Sequence, residues 1–264
     1  KMTARSVPSS LAPIIEELEL RQPKIVTKAL LEEINAKLDI DQRPGDTAHR
    51  LQQHGWLLSL KTEDAWEFAP ASRAGEIGSG DLFIELRATL SHRPNFRVAV
   101  AYETAAWLLD LARRAPERQV IAVPSSIAPP PALKGFRVTR MLGRLEPTHI
   151  DELPVWRVET LIVLMGARPS AFRAWPNVME WLSEAAQRVS GDTLLEELAG
   201  RNRPTWARAG YILEMGGRDD LGTRIRERME PGGGGPFYLG NRKSPGRYSK
   251  RWDVRDSVLT LRVR

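Results

Sequence analysis

Apolar residues recur three and four positions apart at Leu11, Ile14, Ile15 and Leu18, and again at Leu30, Leu31, Ile34 and Leu38. That spacing gives each of two helices one buried stripe. Ser10 and Thr27 stand where the two helices would be capped, and Ile25-Val26 forms a short apolar bridge between them. A third helix is expected to open at Pro44 and Asp46, to turn Ala48 and Leu51 inward, and to stop at Gly55, because glycine readily takes the left-handed conformation that ends a helix. Two strands follow, Trp56–Leu60 and Ala65–Ala69, around the polar turn Lys61-Thr62-Glu63-Asp64. Helix, bridge, helix, turn, helix and hairpin over residues 9–70 is the order of a winged helix-turn-helix.

The Gly-rich stretch 71–80 reads as a linker, so the expected organisation is a DNA-binding domain over 1–72, a linker over 73–80 and a larger domain over 81–264. In the latter, Leu82–Leu90 reads as a short helix after an Asp81 cap, and Val98–Leu111 as an apolar segment that is helical from Glu103. Gln119–Val123 and Phe136–Met141 read as neighbouring strands on either side of the Pro-rich loop SSIAPPPALKG, a stiff connection. From Leu153 helices dominate: WRVETLIVLMGA, then Ala174–Val189 with Trp175, Val178, Met179, Trp181, Leu182 and Ala185 on one continuous face. SGDTLLEEL with Ser190 and Asp192 as caps, Thr205–Met215 and Leu221–Met229 follow. Gly232–Gly235 reads as a hinge, and Phe237–Leu239 and Val254–Val263 as strands flanking the loop NRKSPGRYSKR. The fold class is α+β, a winged helix followed by a larger mixed domain with a helical second half.

Composition narrows the function. A 264-residue chain with 42% hydrophobic and 27% charged residues is that of a folded domain pair. It has no cysteine and therefore neither disulfides nor thiolate metal sites, which suits the cytoplasm. No apolar run reaches bilayer length, and no membrane partner is expected. The net charge of +6 is uneven, since residues 201–264 carry 15 Lys/Arg against 7 Asp/Glu while residues 1–72 carry 9 against 11.

On the third helix His49, Arg50 and Gln53 face away from Ala48 and Leu51; Arg and Gln can bond bidentately to guanine and adenine edges. With Thr47 on the same helix, and Thr27, Lys28, Arg43 and Lys61 placed for backbone contact, they form the candidate DNA-binding set. Arg242, Lys243, Arg247, Lys250 and Arg251 around Tyr248 form a second basic cluster, suited to phosphates and stacked bases or to a protein partner. The histidines His49, His54, His92 and His149 have no ligand spacing, no pair of acids stands at nucleotidyl-transfer spacing, and no nucleophile-elbow pattern surrounds a serine. Catalytic residues, metals and cofactors are therefore expected to be none.

The stretches RLQQHGWLLSL with AWEFAP, AYETAAWLLDL, LIVLMGARPSAFRAWPNVMEWL and RPTWARAGYILEMGG, in this order, resemble the AbiEi family of antitoxins, in particular its mycobacterial-type members. Where that family has a Gly-x-Ser-Ala-Ala pattern, this chain has Tyr102-Glu103-Thr104-Ala105-Ala106. The resemblance implies a bacterial toxin–antitoxin operon. Its winged helix would repress its own promoter at inverted repeats in double-stranded DNA, and its second domain would neutralise a nucleotidyltransferase toxin without being an enzyme. Two other functions fit the residues alone: an RNA- or tRNA-acting protein using the basic C-terminal region, and a stand-alone transcriptional regulator whose second domain senses a ligand.

Overall fold

The computed structural model describes residues 6–73 and 78–259, which fall into two compact units. The first takes in the chain up to Arg97 together with Ala128–Gly135. It runs α1 (Ala12–Arg21), β1 (Ile25–Thr27), α2 (Lys28–Lys37), α3 (Pro44–Gln53), β2 (Leu57–Ser59), β3 (Ala65–Phe68) and α4 (Ile84–His92), with a 3-10 turn at Pro131–Gly135. The strands pair antiparallel in the order β1-β3-β2. Up to β3, this is the element and strand order of a winged helix-turn-helix.

Leu11, Ile14, Leu18, Val26, Leu31, Ile34, Ala48 and Leu51 are fully buried together, so the helical stripes of the sequence meet in one core. Each of the Leu, Ile and Val side chains contributes about 1.5–3 kcal/mol on leaving water. The Thr27 hydroxyl caps α2 by accepting from the Leu30 N–H at 3.2 Å, and Gly55 turns out of α3 at φ 73°. Ser10 does not cap α1: Leu11 is the capping residue and makes no side-chain bond, because the Ser10 hydroxyl accepts from Arg50 instead. Asp81 accepts from the Phe83 N–H at the entry to α4. That helix buries Leu86 and Ala88 and packs on β1 and β3. Hence the compact units divide at Arg97, and not at the 73–80 stretch expected from composition.

The second unit takes in Val98–Ile127 and the chain from Phe136 onward. Its elements are β4 (Ala99–Val100), α5 (Tyr102–Leu108), β5 (Val120–Val123), β6 (Arg137–Arg140), β7 (Thr148–Ile150), β8 (Leu153–Val155), α6 (Val158–Ala167), α7 (Trp175–Val178), α8 (Leu182–Arg188), α9 (Gly191–Leu198), α10 (Arg203–Met215), α11 (Asp219–Arg228), β9 (Phe237–Leu239), β10 (Arg247–Ser249) and β11 (Val254–Asp256). A five-stranded sheet has the order β6-β5-β4-β8-β7, in which β5 and β6 pair in parallel as neighbours. A second sheet, β10-β11-β9, follows the helices.

Four expectations change here. Leu153–Val155, where helix was expected to begin, is strand β8, paired with β7, over which no element was expected. Ala174–Val189 is two helices, broken at 179–181 by tight turns from Glu180 N–H to Asn177 and from Trp181 N–H to Val178, which leaves Met179 48% exposed. The loop NRKSPGRYSKR contains β10, because its Arg247–Ser249 pairs with β11. The last strand covers only Val254–Asp256 of the expected Val254–Val263, whose final residues lie outside the described ones.

Close approaches set the packing of the helical half. The fully buried Trp252 ring lies on Gly210 of α10, where an added Cβ would fall 2.2 Å from a ring carbon; at Gly222 of α11 it would fall at 3.4 Å, an ordinary contact. At the β4–α5 junction Tyr102 takes φ 48° and is fully buried. Its ring meets Trp156 edge-on at 4.8 Å, its hydroxyl has no hydrogen-bond partner among the described residues, and burial pushes its pKa up to about 12.

Gly210→Ala is expected to cost about 1–3 kcal/mol by overpacking, lowering the thermal midpoint by several degrees, whereas Gly222→Ala is tolerated and gains up to about 1 kcal/mol in helix propensity; equal midpoints for the two variants would contradict this packing. Tyr102 ionises more readily unfolded than folded, so its contribution to stability is intact below pH 10 and lost as the pH rises toward 12. In denaturant unfolding, Tyr102→Phe should match the parent at pH 8 and exceed it by about 2–3 kcal/mol at pH 12.

Candidate nucleic-acid interface

Helix α3 presents its face because its other side is fixed from within. Asn35 of α2, 4% exposed, donates through Nδ2 to the Gln42 carbonyl at 2.9 Å and to the Thr47 hydroxyl at 3.1 Å. Thr47 in turn donates to the Arg43 carbonyl at 3.3 Å and is fully buried. This pair locks the turn between α2 and α3. It also removes Thr47 from the candidate DNA-binding set, since a β-branched hydroxyl residue one turn before Leu51 shares the inward stripe.

Outward from α3 stand His49 and Gln53, exposed and bonded to one another at 2.9 Å between Gln53 Nε2 and His49 Nε2. Arg50 is half-buried. Its Nη1 donates to Gln42 Oε1 at 3.1 Å and its Nη2 to Ser10 Oγ at 2.5 Å, which ties the guanidinium to the start of α1 and the turn before α3. Gln52 is held by Ser59 of β2 at 2.6 Å. The exposed edge is thus His49 and Gln53 flanked by Arg43 at the helix entry, with Lys28 exposed at the start of α2 and Thr27 half-buried as its cap.

The hairpin turn carries Lys61, exposed, and its conformation is set by a residue that sequence reading missed. Glu85 of α4 accepts from the Lys61 backbone N–H at 2.8 Å and from the Thr62 hydroxyl at 3.3 Å. The Lys28 N–H donates to Asp64 on the other side of the turn at 3.1 Å, where Asp64 sits at φ 52°. A carboxylate reaching a turn from a distant helix leaves no local pattern, and only the packing of α4 on the sheet brings it there.

The C-terminal cluster divides into two groups. Arg242 lies over the Tyr238 ring at 5.1 Å, while Lys243, Arg247 and Lys250 are exposed. Tyr248, 50% exposed on the edge strand β10, donates to Asp253 Oδ1 at 2.8 Å, and that bond raises its pKa. Arg251 is occupied within the fold: Nη2 donates to Thr223 at 3.1 Å, Nη1 is 3.6 Å from Glu214, and the group lies over Trp252 at 5.7 Å.

Among the described residues no group of three His, Asp or Glu side chains could hold a metal ion, and no helix is long and apolar enough to cross a membrane. His49 is bonded to Gln53 and His54 to Ser6, while His92 ends α4 and His149 lies in β7.

Residues 98–215 match the family described as the AbiEi antitoxin C-terminal domain. The crystal structure of Rv2827c protein from Mycobacterium tuberculosis is similar to this chain with a TM-score of 0.80, over 98% of this chain and 94% of that one, at 23% identity. At that identity the likeness is one of fold. No curated protein matches the sequence at a significant level.

Replacing Glu85 by Ala removes both acceptors from the hairpin turn. Amide hydrogen exchange at Lys61 is expected to accelerate about tenfold, the equivalent of one hydrogen bond, with the rest of the first sheet unchanged; an unaltered Lys61 rate would show that the turn holds itself.

Proposed function

We propose, from the premise that this chain carries an AbiEi antitoxin C-terminal domain, that the protein is the antitoxin of a bacterial toxin–antitoxin pair and represses its own operon. The single observation that carries this reading is the AbiEi match over 98–215, downstream of a winged-helix arrangement whose α3 leaves His49 and Gln53 exposed. The first unit binds promoter DNA with α3 in the major groove and the hairpin on the flanking backbone, which is how such modules dock. Gln53 and His49 read base edges, and Arg50, held by Gln42 and Ser10, presents its remaining donors beside them. Arg43, Lys28 and Lys61 neutralise phosphates, with Thr27 at the helix entry. The second unit neutralises the toxin, a nucleotidyltransferase by the family resemblance, and no enzymatic step is assigned to the antitoxin. The natural setting of this function is the cytoplasm.

A second reading concerns the C-terminal sheet. Its exposed cations Lys243, Arg247 and Lys250 beside Tyr248 suit contact with the toxin or with RNA. If so, the double change Arg247→Ala with Lys250→Ala weakens neutralisation and spares promoter binding.

The experiment is a gel-shift titration of the full chain on DNA upstream of its own gene at two salt concentrations, beside toxin co-expression in cells. Lys61→Ala should weaken binding to all sequences and lower the salt slope by about one. Gln53→Ala should lose about 1–3 kcal/mol on the operator alone, and both should still neutralise the toxin. Operator affinity unchanged in both variants would refute the assigned DNA face.

A further inference from the structure

The second unit contains a cavity of about 570 Å³ that neither promoter binding nor the basic C-terminal cluster uses. Its volume is that of a small-molecule site. The floor is aromatic: Phe172 and Trp181, 2% and 4% exposed, line it, and their rings meet edge-to-face with centroids 6.3 Å apart. Phe172 is also braced by Trp175 at 5.2 Å and by Tyr102 at 6.4 Å. A surface of this kind offers edges and faces to a flat ring and holds its shape without one.

The polar groups at the cavity carry the selectivity. Arg113 and Arg114 line it, are exposed, and make no hydrogen bond or ion pair among the described residues. Buried Glu103 also lines it, but its charge is already matched by the Arg137 guanidinium and the Arg173 backbone N–H. Asn177 adds an amide and Glu180 one opposing carboxylate at the rim. Two uncommitted guanidiniums against one exposed acid leave the cavity cationic, and guanidinium forks favour planar carboxylate or phosphate oxygens.

The cavity also coincides with a local irregularity. The apolar spacing of 174–189 reads as one continuous helix, yet the structure interrupts it at 179–181, and Asn177, Glu180 and Trp181 from around that break line the cavity. A place where the local pattern is overridden is where a binding site is expected.

We propose that this cavity binds a small aromatic anion, its ring on Phe172 and Trp181 and its carboxylate or phosphate on Arg113 and Arg114. The second unit therefore has a ligand site distinct from the DNA face of the first, so that occupancy by a metabolite of this class is an input to the antitoxin in addition to the toxin itself.

The test is calorimetric titration of the full chain with indole acetate and with phenyl phosphate, against the uncharged indole alcohol of the same ring. The anions are expected to bind at least about tenfold more tightly than the alcohol. The double variant Arg113→Ala with Arg114→Ala, both exposed and outside the core, should reduce the anions to the level of the alcohol. Asn177→Phe, which fills the cavity from an exposed position, should abolish binding of all three. Absence of anion binding at millimolar concentration, or anion affinity unchanged in the double variant, overturns the proposal. Circular dichroism of the variants separates loss of binding from loss of fold.

Discussion

The second unit depends on three carboxylates that it keeps out of water. Glu197 of α9 is fully buried and accepts from the backbone N–H groups of Arg144 and Leu145, from the Thr160 hydroxyl at 3.0 Å, and from the Arg201 guanidinium. Glu159 of α6 accepts from the Ser190 N–H at 2.8 Å, and Glu103 of α5 from the Arg173 N–H and from Arg137. A buried charge with a missing partner costs about 3–5 kcal/mol, so each carboxylate forces a distant loop to come to it. The segment before β7, the segment before α7 and the entry to α9 are irregular backbone, and each has one or two backbone N–H groups satisfied in this way. The sheet and the helices are joined through these points as much as through apolar packing.

Those carboxylates also account for what could be read from the residues beforehand and what could not. Thr27, Gly55 and the stripe from Leu11 to Leu51 act locally or at helical period, and each has the expected place. Glu103, Glu159 and Glu197 sit in helices whose polar residues ordinarily face solvent, and no window of sequence separates them from Glu32 or Glu196. Thr47 misleads for the related reason that its hydroxyl is satisfied by Asn35 twelve residues earlier. The three-residue strands β7 and β8 are too short to show alternation. Met179 breaks a face that five other positions maintain, because the helix ends one residue before it.

The candidate DNA face follows the same division. Which side of α3 is outward was legible from Ala48 and Leu51. That Arg50 is tied to Ser10 and Gln42, and that the Lys61 turn hangs on Glu85, follows from tertiary packing alone. The presentation of the hairpin therefore depends on α4, a helix that composition assigns to the other side of the linker.

The Pro-rich segment has a further consequence. Ala128–Gly135 belongs to the first compact unit, yet it lies within residues 98–215 that match the antitoxin domain. The polypeptide passes between the units three times, and the stretch that resembles an independent module gives up one of its own segments to its neighbour. Two units connected by one strand of chain can be exchanged during evolution by a single recombination on each side. These two are joined at three points, so one cut at Arg97 separates the first unit from its own Ala128–Gly135 segment. A fragment that ends at Arg97 therefore lacks one of the segments of its own compact unit, and the remainder of the chain keeps a segment that packs elsewhere.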